Sequence, residues 1–134
     1  MPIKVQWDNE ERTVMRWVYQ SPWSWEEAYQ AHEQEMALID CVEHIVDGIA
    51  DMRQAQGLPK GSLTAGVSIM NKSHERMDLL VILGANRLIQ SMYDMMCKLH
   101  PGMAKKVKLV MVRSEEEAYQ VIAARRAERM QQVP

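Results

Sequence analysis

The chain of 134 residues has the length of one domain, and its 47% apolar and 25% charged residues are typical of a soluble globular protein that needs no disulfide or structural metal. The 16 basic and 18 acidic residues give a net charge of −2, which argues against a nucleic-acid-binding protein. No apolar run reaches the roughly 18 residues of a membrane helix, and the N-terminus lacks the apolar core of a signal peptide, so we expect a cytoplasmic protein.

The first predicted elements are a hairpin and a helix. Residues 3–7 alternate apolar and polar side chains, and residues 13–19 are rich in β-branched and aromatic types, so a polar turn at 8–12 predicts a β-hairpin. Ser24 and Glu27 fit a capping box, which predicts a helix from there to about residue 40 or 43. Its apolar stripe, spaced by threes and fours, consists of Trp25, Ala28, Tyr29, His32, Met36 and Ile39.

Two short apolar runs, at 45–52 and 79–83, predict buried strands, of which the first is central and covered on both faces. A loop at 56–61 and a helix at 62–70, capped by Ser62, separate them. Asn86 is the predicted N-cap of the next helix, which the His-Pro-Gly sequence at 100–102 ends. The broad apolar face of that helix contains Leu88, Ile89, Met92, Met95, Met96 and Leu99.

The last predicted elements are a strand at 107–112 and a helix that opens with a second capping box, formed by Ser114 and Glu117. Ala118, Val121 and Ile122 are its predicted inward residues. The resulting order, β-β-α-β-α-β-α-β-α, indicates an α/β fold. We expect a single domain over residues 1–134, with a mixed five-stranded sheet whose later strands are parallel.

Several short motifs together resemble a known family. They are WDN at 7–9, WSWEE at 23–27, HIVDGIADM at 44–52, GLP at 57–59, LVILGAN at 80–86 and SEEEA at 114–118. Over nearly its whole length the chain resembles the SpoIIAA-like group of bacterial proteins. These are small STAS-like domains, distantly related in fold to anti-sigma-factor antagonists and to CRAL-TRIO lipid-transfer proteins. The resemblance implies a sheet with helices packed along it and a signalling or ligand-binding role.

The resemblance also raises the question of a phosphorylation site. Anti-sigma-factor antagonists carry a phosphorylated serine at a helix N-terminus after the central strand, in the motif Asp-Ser-Ser-Gly-Leu. This sequence lacks the motif, and its nearest equivalents are Asp51 at the strand end and Ser62 further along the chain. Ser62 is therefore either a phosphorylation site or only a helix cap.

The junctions after the two buried strands contain the candidate site residues: Asp51, Ser62, Gly84, Asn86 and Arg87. Ligands of α/β folds bind beyond the carboxyl ends of strands, where helix N–H groups attract anions. Asp47 and Asp51 share a face of one strand and are either structural or an acid/base pair. The segment 84–87 is either an anion-binding turn or a tight turn with a capping Asn.

Other residue types point to no catalytic, metal or cofactor site. His32 is followed at position 36 by Met, so the zinc motif His-Glu-x-x-His is absent. Cys41 and Cys97 are expected to be reduced, packed thiols. Trp17, Trp23 and Trp25 are expected either in the core or around an apolar pocket.

Two functions remain open. The first is a non-enzymatic STAS-like regulatory or interaction domain, which presents loops or a Met-rich helix face to a protein partner. The alternative is a domain that binds a small apolar or lipid-like molecule in a pocket. The 12 methionines and the absence of Phe suit an adaptable apolar surface, and a homodimer is possible.

Overall fold

Residues 2–132, which a computed structural model describes, form five strands and five helices. In chain order they are β1 (Ile3–Trp7), β2 (Val14–Gln20), α1 (Trp25–Asp40), β3 (Val46–Gln54), α2 (Ser62–Asn71), β4 (Met77–Leu83), α3 (Arg87–Leu99), α4 (Pro101–Lys106), β5 (Lys108–Val112) and α5 (Glu115–Gln131). Within this described part of the chain, no helix combines the length and the apolar character that crossing a membrane requires.

The strands form one sheet in the order β1-β2-β3-β4-β5. β1 and β2 are an antiparallel hairpin in which Val5 lies opposite Trp17, and every later pairing is parallel. The predicted α/β class and the mixed five-stranded sheet with parallel later strands are therefore confirmed. β3 is the middle strand, as its continuous apolar run predicted.

Among residues 2–132, the two largest of three clusters of buried residues lie on opposite faces of the sheet and form a larger and a smaller core. Alternate β3 residues separate them: Ala50 and Met52 belong to the larger core, and Ile49 belongs to the smaller one. The larger core packs the sheet against α1, α2, α3 and α4. The smaller core packs it against α5, through Ala118 and Ile122 as predicted.

The helix caps agree with the sequence in three of four cases. Ser24 and Glu27 form both bonds of the predicted capping box, and Asn86 accepts a bond from the Ile89 N–H at 3.0 Å. Ser114 accepts from the Glu117 N–H at 3.1 Å, although only this half of the second predicted box is present in residues 2–132. The prediction that Ser62 caps α2 is wrong.

At α2 the N-cap is Gly61, whose φ of +76° suits glycine, and it makes no side-chain cap bond. Ser62 is the first helical residue, and its hydroxyl donates to the carbonyl oxygen of Pro59. The serine thus closes the preceding loop on itself, which satisfies a loop carbonyl and leaves the helix N–H groups uncapped by a side chain.

The helices bury somewhat different residues from those predicted. On α1 the buried residues are Ala28, Ala31, Glu35 and Ile39. Tyr29, which was expected inside, is 37% exposed. An apolar stripe could not reveal Glu35, because a carboxylate is buried only where it has a partner.

The structure also differs from the sequence prediction at α3, in the segment after it and at Cys41. On α3, Leu88, Met95 and Leu99 are more than half exposed, so the predicted apolar face is only partly buried. The predicted stop after Leu99 holds, but the short helix α4 follows at once and buries Met103. Both cysteines are free, yet Cys41 is exposed and not packed.

Candidate functional site

Asp51 lies on the α5 face of β3 and is bound by two arginines. Arg53 donates from Nε at 2.9 Å and from Nη2 at 2.7 Å, and Arg16 donates from Nη1 at 3.1 Å. Burial alone would raise the pKa of Asp51, but the hydrogen bonds from Arg53 outweigh it and lower the pKa. Asp51 is therefore an ionised, fully partnered carboxylate.

The ion pairs extend from Asp51 to the hairpin and to α5. Arg16, only 6% exposed, also binds Asp8 at 2.7 Å and Glu115 at 2.7 Å, and the Tyr119 hydroxyl donates to Asp8. The network joins the turn after β1 to the first turn of α5. Sequence reasoning missed it, although a single arginine inside an otherwise apolar strand is a signal of a buried partner.

The junction after β4 is shaped by Arg53. Gly84 has a φ of +70°, and a Cβ there would lie 2.4 Å from the Arg53 Cγ, so glycine is required twice over. Besides capping α3, Asn86 donates from Nδ2 to the Gln56 carbonyl at 2.9 Å, and Arg87 is exposed. Arg53 therefore connects Asp51 to Gly84, while Asn86 holds the loop after β3.

A separate cavity of about 70 Å³ lies in the larger core, between the sheet and α1, α2 and α3. Its aromatic lining consists of Trp17, Tyr19, Trp23, Trp25 and Tyr93. Five methionines add to the apolar wall. None of the five candidate site residues lines this cavity, whereas Trp17, Trp23 and Trp25, expected either in the core or around a pocket, all do.

Two glycines make room for cavity side chains. A Cβ at Gly48 in β3 would lie 2.3 Å from Cζ3 of Trp17, and one at Gly66 in α2 would lie 3.1 Å from Cε and Sδ of Met96. Gly48 thus lets the Trp17 ring lie across the central strand. Gly66 lets the Met96 side chain pass close to the helix backbone.

The aromatic wall contains polar atoms that are buried. Trp23 makes edge-to-face contacts with Tyr19 and Trp25, at centroid distances of 5.1 Å and 4.8 Å. The indole N–H groups of Trp23 and Trp25 are buried and have no acceptor among residues 2–132. Burial raises the pKa of Tyr19 and of Tyr93, so both phenols stay protonated.

An ion pair in the cavity wall joins His32 and Glu35 of α1. His32 Nδ1 lies 3.1 Å from Oε1 of Glu35, and Nε2 lies 3.1 Å from the Lys72 carbonyl oxygen. Both partners are acceptors, so the ring satisfies both only when it is protonated. The bond to Glu35 accordingly raises the pKa of His32, although burial opposes it.

Comparison of the chain with protein-family models, with curated proteins and with solved structures finds no match in any of the three. The resemblance to STAS-like domains therefore stays a prediction. Chemically, the side chains that line the cavity offer apolar contact, three indole N–H groups, two phenol hydroxyls and one histidine–carboxylate pair. Nowhere in the described part of the chain do three His, Cys, Asp or Glu side chains gather as a metal site would need.

Proposed function

We propose that this chain is a binding domain for a small, mostly apolar molecule that occupies the cavity between the sheet and α1, α2 and α3. The observation that carries the proposal is the cavity itself. Protein interiors are close-packed and contain few voids larger than a water molecule. Here about 70 Å³ remains open among large aromatic and methionine side chains, which is the usual lining of a small-molecule site.

The methionines support the same function. A thioether side chain has several rotatable bonds and adapts to the shape of a neighbour. Met92 and Met96 of α3, together with Met70 of α2, line the cavity, so the wall can adjust to a ligand larger than the open volume. The loops after β3 and β4 offer less, because Asp51 and Asn86 are already engaged in bonds within the chain.

The test is titration of ¹⁵N-labelled protein with toluene and with naphthalene, followed by ¹H–¹⁵N NMR. Saturable shifts of signals from cavity residues are expected. Ala28→Leu should weaken them, because Ala28 is 3% exposed and lines the cavity. Ala37→Leu, at an exposed position of the same helix, should bind like the unmodified protein. Absence of any saturable shift would refute the proposal.

A second candidate function is self-association through α3. It corresponds to the regulatory or interaction domain that the sequence predicts first, which needs a protein-binding surface. Leu88, Met95 and Leu99 are 56%, 52% and 57% exposed and recur at intervals of seven and four, which places them on one helix face. Exposed apolar patches of this kind mark interaction sites. The occupant is a second copy, because Asp94 and Lys98 lie exposed beside the stripe and would pair with each other across two antiparallel helices.

Light scattering after gel filtration tests this second function. A dimer is expected for the unmodified chain, and Met95→Lys should convert it to a monomer by placing a charge in the interface. Met130→Lys changes a methionine on α5 that is more exposed still, at 78%, and should leave the dimer intact. A monomer at every concentration of the unmodified chain would exclude self-association and leave the cavity proposal untouched.

A further inference from the structure

We infer that the cavity ligand is an uncharged aromatic molecule carrying a hydrogen-bond acceptor oxygen, and that the indole N–H groups of Trp23 and Trp25 bind this oxygen. The inference rests on the proposed binding function and adds the chemical class of the ligand. It depends on which polar atoms of the cavity lack a partner and on which charges the wall contains.

Within residues 2–132, the indole N–H groups of Trp23 and Trp25 are unpartnered donors of the cavity wall. Trp23 is 7% exposed, both indoles line the cavity, and neither N–H has an acceptor among the described residues. Buried N–H groups in folded proteins nearly always have a partner, because an unpartnered one loses its bond to water without replacement. Two neighbouring exceptions in one cavity wall indicate a partner that comes from outside the chain.

The partner must be an acceptor. An indole N–H can only donate, and the protonated hydroxyls of Tyr19 and Tyr93, whose side chains line the cavity, add donors to the same wall. The Ser73 hydroxyl, also in the lining, already donates to the Met70 carbonyl at 2.7 Å. A carbonyl or ether oxygen on the ligand would satisfy donors that the protein itself leaves open.

The ligand must also be uncharged. Among residues 2–132, the cavity lining includes no lysine or arginine, and its one cationic group, His32, is bound to Glu35. A carboxylate or phosphate would therefore enter a low-dielectric site beside Glu35 without a free counter-charge, and a cation would have to compete with His32. The five aromatic rings of the wall favour a flat, aromatic ligand body.

Matched compounds test the class. Acetophenone and α-methylstyrene have the same shape, but the second has a C=CH₂ group where the first has C=O, and benzoate adds a charge. The naphthyl pair, 2-acetonaphthone and 2-isopropenylnaphthalene, repeats the comparison at a larger size. We expect each ketone to bind about tenfold or more tightly than its hydrocarbon, the difference of one hydrogen bond to a buried donor, and benzoate to bind more weakly than acetophenone.

The indole N–H signals give a direct readout. Ketone binding should shift the Nε1–H resonances of Trp23 and Trp25 downfield, whereas the hydrocarbons should not. Trp23→Phe or Trp25→Phe should reduce the preference for the ketone. Trp7→Phe removes an indole outside the cavity lining and should leave the preference unchanged.

The outcomes separate the inference from the function on which it rests. Equal affinity for ketone and hydrocarbon would overturn the inference while supporting the binding function. Failure of every compound to bind would overturn both. If the Trp→Phe variants do not fold, the ratio of the two affinities in the unmodified protein still decides the inference.

Discussion

Asp47 and Arg129 form a two-bond ion pair that joins the centre of the sheet to the last turns of α5. The Asp47 carboxylate has no exposed surface and accepts from Nη1 of Arg129 at 2.9 Å and from Nη2 at 2.7 Å. It also accepts from the Leu79 N–H at 3.2 Å. Arg129 in turn binds Asp78 at 2.8 Å, so one arginine pairs with a carboxylate on each of two neighbouring strands, β3 and β4.

Removal of Arg129 is therefore expected to be strongly destabilising. Arg129→Met keeps much of the aliphatic stem but leaves Asp47 charged and buried without its partner, and such losses cost about 3–5 kcal/mol. Urea unfolding measures the change. Arg126→Met, at an exposed position of the same helix, is the matched control and should change stability by less than about 0.5 kcal/mol. Equal stability of the two variants would show that the ion pair between Asp47 and Arg129 contributes nothing measurable to the free energy of unfolding.

Gly84→Ala is expected to destabilise the junction after β4. Alanine would have to adopt a φ of +70° and place its Cβ 2.4 Å from the Arg53 Cγ, displacing the arginine from Asp51. The expected loss is about 1–3 kcal/mol. Gly102→Ala in α4 meets no atom within 4 Å and should be neutral or stabilising by up to about 1 kcal/mol. Thermal unfolding of both variants checks the contrast, and a neutral Gly84→Ala would contradict it.

The cavity predicts that leucine is tolerated better at one of two equally buried alanines of α1 than at the other. Ala28 and Ala31 are each 3% exposed, but only Ala28 lines the cavity. Ala28→Leu can place its added carbons in open space and should stay within about 1 kcal/mol of the unmodified protein. Ala31→Leu meets packed neighbours and should lose about 1–3 kcal/mol in urea unfolding. If Ala28→Leu were the more damaging of the two, the cavity would be too small to accept a side chain.

Much of the fold could be predicted because it depends on local patterns. The apolar runs at β3 and β4 and the capping residues Ser24, Asn86 and Ser114 each determine structure within a few neighbours. The same reasoning wrongly predicted Ser62 as a helix cap, because its hydroxyl donates to the Pro59 carbonyl and does not accept from a helix N–H. The short helix α4 begins with the pair Pro101 and Gly102, a pattern that normally indicates only a turn.

The candidate site was harder to predict because its residues come together from distant parts of the chain. The parallel register places Asp51 opposite Leu83, the residue before Gly84, but Arg16 and Arg53 bind the Asp51 carboxylate and occupy it. The cavity needs residues from three helices and the sheet, and its volume depends on small residues such as Gly48 and Gly66. The cluster of Trp17, Trp23 and Trp25 was the one sequence signal of it, and burial in a filled core would have produced the same pattern.

The stability of the protein is expected to fall with rising pH because of His32. Its bond to Glu35 raises the pKa above the ordinary value of 6.5, against the effect of burial, so the folded state binds this proton more tightly than the unfolded state does. The stabilisation is complete below pH 6.5 and is lost as the pH rises through the folded-state pKa. Urea unfolding at a series of pH values should show this decline, and His32→Gln should remove it. His100→Gln, a matched change at an exposed position, should keep this pH dependence.

An NMR titration measures the pKa of His32 directly. Glu35→Gln should move this pKa back towards 6.5, and an unchanged value would mean that another group raises it.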